Sequence, residues 1–263
     1  MRRLLLINPR AGGERPDADE LRAEAERREI DARILRQGED AAALADSTAA
    51  DVLGAAGGDG SIAGVASVAV ERGVPFVCVP FGTRNHFARD LGLDRDDPVA
   101  ALDGFDGVER RVDVGRVGRR RFLNNVSLGL YARLVHRREH HRRRRQMLAG
   151  LRALWLSARE RPTVWAKLDG QPVSARVLLV ANNAYEVDLF AVGERARLDE
   201  GLLHVYAARA WLPRSWERHA GAGFTLEAAG PLEAAVDGEP AVLEPPVEFA
   251  IEPRALRVLV PPG

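Results

Sequence analysis

Lysine is almost missing from this chain of 263 residues: Lys167 is the only one among 38 basic side chains, the rest being arginine. A Walker A loop, or the strand lysine of a protein kinase, needs that side chain beside the phosphates. Lys167 lies in Val164-Trp165-Ala166-Lys167-Leu168-Asp169-Gly170, a strand and turn with no glycine-rich loop nearby, so the sequence argues against both designs. Cysteine is equally scarce. Cys78 stands alone within Val77-Cys78-Val79, so no disulfide framework is possible and the thiol reads as a small buried hydrophobe. That fits a reducing, cytoplasmic setting. Long apolar runs are absent too: nothing approaches the roughly 18 residues of a spanning helix. Met1-Arg2-Arg3 followed by Leu4-Leu5-Leu6-Ile7 imitates the start of a signal peptide but stops at Asn8-Pro9, too early for a secretory segment; it reads as a first strand. Formal charge is +0, so attraction to nucleic acid or anionic membrane must be local. No aromatic-interleaved basic stretch marks a nucleic-acid module.

What the chain does have is three glycine-rich turns in its first third, each where an apolar run gives way to an amphipathic one. They are Asn8-Pro9-Arg10-Ala11-Gly12-Gly13, Gly57-Gly58-Asp59-Gly60-Ser61 and Pro80-Phe81-Gly82-Thr83-Arg84-Asn85. Glycine lets main-chain N–H groups approach phosphate oxygens, and a following helix aims its positive end at them. One such turn signifies little. Three at successive strand ends point to a polyphosphate, and hence a nucleotide.

The first 110 residues or so alternate strand and helix signals: strands at 3–8, 30–35, 51–56 and 74–79, helices at 17–28, 40–47, 61–72, 84–91 and 98–104. That order predicts a parallel sheet flanked by helices, with the turns at its C-terminal rim. Beyond it, short strand-like runs separated by Gly, Pro and Asp, among them 173–181 and the separate runs 247–251 and 256–260, predict an antiparallel, β-rich second half. Residues 131–158 are the exception and read as helix. The predicted domains are 1–115, an α/β nucleotide-binding domain, and 116–246, a β-rich domain. The strand near 247–260 is a candidate to return to the first.

Asp59 could hold Mg²⁺, accept a proton from an attacking hydroxyl, or cap a helix. Thr83 and Asn85 open a helix and offer a hydroxyl and an amide to phosphate or adenine. His86 beside them reads as incidental. Asn124-Asn125 and Asn182-Asn183 end strands; functional and turn roles stand level for each. Asp237-Gly238-Glu239 reads as a hairpin turn. The arginine- and histidine-rich run 136–145 leads into apolar residues at helical spacing. It is either a solvated charged turn or a surface for anionic lipid.

Taken in order, these segments resemble the diacylglycerol kinase catalytic-domain family: bacterial soluble lipid kinases, sphingosine and ceramide kinases, and more distantly NAD kinases. The correspondence runs through Asn8–Gly13, Gly57–Ser61, the Gly82–Gly92 stretch, Asn124-Asn125-Val126-Ser127-Leu128-Gly129, Leu198-Asp199-Glu200-Gly201-Leu202-Leu203 and Asp237-Gly238-Glu239. The resemblance implies an NAD kinase-like α/β domain followed by a β-sandwich-like one. It also implies ATP and Mg²⁺ as cofactors and a membrane lipid hydroxyl as acceptor, diacylglycerol before others, giving phosphatidic acid. ATP would engage Asn8, Pro9, Arg10, Gly12, Gly57, Gly58, Asp59, Gly60, Ser61, Gly82, Thr83, Asn85 and Glu239. Asp237 becomes the favoured general base, with Asp59 organising Mg²⁺–ATP; some relatives suggest Asp59 as the base instead. Glu200 stands where soluble bacterial members often place Asp in a structural Mg²⁺ site, Ser61 replaces a usual Thr, and His86 a common Asp. The enzyme would be cytoplasmic, with peripheral contact at the inner membrane face through 136–145 and no nucleic-acid partner. Alternatives are phosphorylation of a soluble dinucleotide, as in NAD kinases, and a nucleotide- or lipid-binding module without turnover.

Overall fold

The first strand forms where Leu4-Leu5-Leu6-Ile7 provides an unbroken apolar run, as a strand covered on both faces requires. The computed structural model of the chain describes residues 1–11, 16–82, 85–129, 164–188, 191–192, 194–208 and 216–262. They divide into two compact units: Met1–Val114 with Glu194–Glu200 and Glu252–Gly263, and Gly115–Gly193 with Gly201–Ile251.

The first unit alternates β1 (Arg3–Ile7), α1 (Ala18–Arg27), β2 (Asp31–Ile34), α2 (Ala41–Ser47), β3 (Val52–Gly57), α3 (Asp59–Arg72), β4 (Phe76–Pro80) and α4 (His86–Asp90). A 3₁₀ segment, Ala100–Asp106, precedes β5 (Val108–Val117). The sheet is parallel in the order β2-β1-β3-β4. The last strand of the chain, Val247–Val260, joins it by pairing Val258 with Phe76 and Leu259 with Val77. α1 starts where Asp17 and Glu20 form a reciprocal capping box: Asp17 accepts from Glu20 N at 2.8 Å and Glu20 from Asp17 N at 3.0 Å. Its Leu21 and Ala25 then pack with Leu5, Ile7, Val79 and Phe105 in one buried cluster.

The second unit contains β6 (Arg120–Phe122), β7 (Asn125–Gly129), β8 (Val164–Leu168), β9 (Gln171–Ala175), β10 (Val177–Asn182), β11 (Val187–Asp188), β12 (Ala191–Val192), β13 (Leu203–Ala208), β14 (Trp216–Gly221), β15 (Gly223–Glu227), β16 (Leu232–Val236), β17 (Glu239–Leu243) and the first part of β18 (Val247–Val260), up to Ile251. One antiparallel sheet runs β14-β13-β10-β7-β16-β17, and β18-β15-β8-β9 forms a second antiparallel series. Alternate residues of both, among them Val126, Val180, Val205, Leu168, Leu226 and Phe249, share one core. That is sandwich packing, with period-2 alternation as its cause. The fold class is therefore the expected one, a helix-flanked parallel sheet and a β-rich unit.

Three element expectations change. Residues 173–181 form two strands, because Arg176 breaks the run between Ala175 and Val177. Pro253 does not end the last strand: Arg254 takes a left-handed φ of 51° and its N–H donates to the buried Asp113 carboxylate at 2.8 Å, so pairing resumes beyond it. β14 had no apolar alternation to announce it. The predicted helix at 131–158 and the basic run 136–145 lie outside the described residues.

Candidate functional site

In the parallel sheet, β1 has β2 on one side and β3 on the other, so the chain winds in opposite directions from these two central strands. Ligands bind such sheets beyond the carboxyl ends of the strands flanking that reversal. Here those ends are Ile7 running into Asn8, and Gly57 running into Gly58. Asn8 stitches the two turns together: its N–H donates to Ala56 O at 2.8 Å and its Nδ2 to Ser61 Oγ at 2.9 Å. Its Oδ1 in turn accepts from Arg10 N at 3.1 Å, leaving Pro9 and Arg10 exposed at the rim. The third turn joins them when Phe81 N donates to Gly57 O at 3.3 Å. A Cβ on Gly82 would stand 2.9 Å from Gly58 Cα, so only glycine permits the two main chains to lie this close.

Helix α3 begins at this junction, and Gly58 gives it no side-chain cap. Its first N–H groups therefore face the rim with the positive end of the helix behind them. Gly58 has an ordinary φ of −82°, and a Cβ there would meet nothing within 4 Å. The fold itself makes no demand for glycine at this position, whereas a ligand lying against the main chain does. Asp59, half-buried, is the first residue of α3, and its Oδ1 accepts from Phe87 N at 3.4 Å. Asn85 is fully buried with a left-handed φ of 44°. Its Nδ2 donates to Gly82 O at 2.7 Å, which fixes the amide's orientation, and its Oδ1 has no hydrogen-bond partner among the described residues. Beneath the rim, burial first and then the charge of Asp59 push the Cys78 thiol far up, so it stays protonated.

The main-chain donors and the open cradle over Gly58 fit a triphosphate, while the Asn85 Oδ1, an acceptor, suits a hydrogen-bond donor such as a ribose hydroxyl or the adenine amine. For Mg²⁺ the fit is a single carboxylate. Among the described residues no three His, Cys, Asp or Glu side chains gather to hold a metal, but Mg²⁺ is commonly held by one or two carboxylates with substrate phosphates. Glu200, half-buried in the Glu194–Glu200 segment of the same unit, adjoins Asp199. The Asp199 carboxylate is paired with Arg197 at 3.0 Å and Arg254 at 3.5 Å. Gly60 lies in the first turn of α3. Gly12 and Thr83 lie outside the described residues.

Asp237 and Glu239 belong to the second unit. Asp237, with φ 49°, and Gly238, with φ 82°, make the β16–β17 hairpin turn, the backbone that Asp-Gly favours. The Asp237 side chain turns inward. Its Oδ2 accepts from Leu123 N at 2.7 Å, and its Oδ1 from Asn124 N at 2.8 Å and Asn125 N at 3.1 Å. A carboxylate offers about four acceptor sites, and these bonds fill three. The Leu123–Asn124 main chain is also held by Asn182, whose Nδ2 donates to Leu123 O at 3.0 Å and whose N donates to Asn124 O at 3.0 Å. Asn125 Nδ2 reaches Tyr185 Oη at 3.2 Å. Glu239 is exposed and paired with Arg120 at 2.9 Å. The tandem asparagines are thus parts of one buried polar network. No local sequence pattern marks Asp90, Asp113 and Arg195, buried charges that each have a partner remote in the chain.

The architecture defines an α/β unit with glycine turns gathered at the rim of its parallel sheet, joined in sequence to a β-rich unit. Residues 2–117 match the family described as the diacylglycerol kinase catalytic domain. A diacylglycerol kinase of Bacillus subtilis (strain 168) is 36% identical over 89 residues, 33% of this chain and 29% of that protein. A Pseudomonas aeruginosa protein named "Probable lipid kinase YegS-like" is 32% identical over 138 residues, 50% of this chain and 45% of its own. The chain thus spans less than half the length of these curated relatives. The solved structure of a diacylglycerol kinase from Bacillus anthracis str. Sterne superposes with a TM-score of 0.70, covering 98% of this chain and 96% of that one, at 18% identity. At that identity the likeness bears on the fold.

Proposed function

We propose that the protein is an ATP-dependent lipid kinase, transferring the γ-phosphoryl group to a lipid hydroxyl, with diacylglycerol the favoured acceptor and phosphatidic acid the product. The observation that carries this reading is the meeting of three glycine turns at the uncapped start of α3, with Asp59 among them. The kinase names of these similar proteins support it.

In the reaction, the lipid oxygen forms a bond to the γ-phosphorus, the bond from that phosphorus to the β–γ bridging oxygen breaks, and the hydroxyl proton goes to a carboxylate. The first N–H groups of α3 and the main chain at Gly57, Gly58 and Gly82 would hold the phosphates in place of a lysine. Asn8, Pro9, Arg10, Gly12, Ser61, Thr83 and Asn85 would complete the nucleotide site. Mg²⁺, held by Asp59 and phosphate oxygens, would supply neutralising charge; Glu200 is a candidate for a second ion. Asp237 and Asp59 are the two proposed proton acceptors. Asp237, with three amides on its carboxylate, suits the positioning of the Leu123–Asn125 turn, and Glu239 would act nearby in the chain. The basic run 136–145 would hold the enzyme at anionic lipid.

Incubation with γ-labelled ATP, Mg²⁺ and mixed membrane lipids, followed by lipid extraction and mass spectrometry, tests the proposal. Label in phosphatidic acid is expected. Label in another phospholipid changes the acceptor. Label only in a dinucleotide, or nucleotide binding without transfer, overturns lipid phosphorylation.

A further inference from the structure

The segment Glu194–Glu200 is an excursion. Its flanking residues belong to the second unit, yet it packs within the first. It is fastened there by a buried charge: Arg195 Nε donates to Asp90 Oδ2 at 2.6 Å, with both side chains fully enclosed. The other Asp90 oxygen accepts from Arg89 Nε at 3.0 Å and Nη2 at 2.8 Å. Glu194 approaches Arg89 at 3.5 Å, and Leu198 O accepts from Asp113 N at 2.7 Å. Burying a charged pair carries a large desolvation cost, so it is a weak source of stability and is better suited to fixing one arrangement among several.

What it fixes is α4. This helix has only five residues, His86–Asp90, too few to hold its place by its own hydrogen bonds. Its start carries Asn85, whose Oδ1 has no hydrogen-bond partner among the described residues, and Phe87, whose N–H donates to Asp59. Its end is Asp90. A shift of Asp90 therefore moves Asn85 and the Phe87 N–H against the glycine turns.

We infer that Arg195 is a positioning residue for the nucleotide site: through Asp90 it locks α4, and with it Asn85 and the Asp59 contact, in the geometry that receives the phosphates. The inference rests on the kinase reading above. It also gives the excursion a task, since Arg195 lies 105 residues from the aspartate it holds.

The test is steady-state kinetics of Arg195→Met, Arg195→Lys and Asp90→Asn on the full chain, varying ATP and lipid separately, with thermal melts alongside. Asp90 keeps its two Arg89 bonds in Arg195→Met, so a folded protein is expected. KM for ATP should rise about tenfold, or about 1.4 kcal/mol, while KM for lipid stays constant. Lysine should restore part of the loss. Asp90→Asn, which keeps the shape and removes the charge, should show the same selective rise and serves if Arg195→Met does not fold. A lower melting temperature with KM for ATP unchanged in the folded variants would overturn the positioning role and leave the kinase reading intact. A wild-type protein that neither binds nor turns over ATP would overturn both.

Discussion

At the scale of single residues, Gly58 and the two aspartates separate ligand demands from folding demands. Gly58→Ala places its Cβ in open space within the fold. The melting temperature should stay near wild type while ATP affinity, measured by titration calorimetry, falls. A normal affinity would remove the cradle from the site. Asp59→Asn should leave the fold intact and reduce phosphoryl transfer by about 10²-fold or more, the usual contribution of a placed acid or base. Asp237→Asn should behave differently. An amide cannot accept on both sides, so its NH₂ would face a main-chain N–H inside the protein, costing about 1–3 kcal/mol in denaturant unfolding. Equal stability of the two variants would contradict the bonding described for Asp237. The Asp-Gly turn itself was legible, because that dipeptide favours positive φ at both residues. Its inward grip was not: the amides it holds lie 112–114 residues earlier, and no local pattern encodes them. Asp90 and Arg195 were hidden for the same reason.

At the scale of elements, α3 is held at both ends. Its start carries the site, and near its end Arg72 donates to Ala45 O, Thr48 O and Ala50 O, each at 2.8 Å. These bonds bind the α2–β3 connection to the helix. Arg72→Met should cost about 2 kcal/mol, from charge-assisted bonds lost to carbonyls, and chemical unfolding would measure it. A change below a few tenths would mean that water replaces the guanidinium without loss. Helices and strands of the first unit could be read because their signals are local: Asp17 and Glu20 announce α1, Gly73 closes α3, and apolar runs mark β1, β3 and β4. The last strand could not be read whole. Proline normally ends a strand, and only the remote Asp113 explains how this one continues through Pro253 and Arg254.

At the scale of the molecule, fold class followed from the two periodicities, unbroken apolar strands in one unit and alternating ones in the other. The surface pair of Arg257 and Glu109, at 2.7 Å, bridges β18 and the start of β5. Its hydrogen bonds to Arg257 lower the Glu109 pKa. The stability it adds is present above the ordinary carboxylate range and is lost as pH falls through the lowered value. Glu109→Gln should therefore be less stable than wild type by at most about 1 kcal/mol near neutrality, with the gap closing in acid. A gap that widens in acid would give the pair the wrong sign. The last strand carries a consequence for biosynthesis. β4 pairs with β3 on one side and gains its second neighbour from Val258 and Leu259, far later in the chain. On the ribosome, the parallel sheet must wait with an unfinished edge until that last strand has been made. That interval, when an apolar strand lies open to stray pairing, is when the nascent protein is most exposed to aggregation.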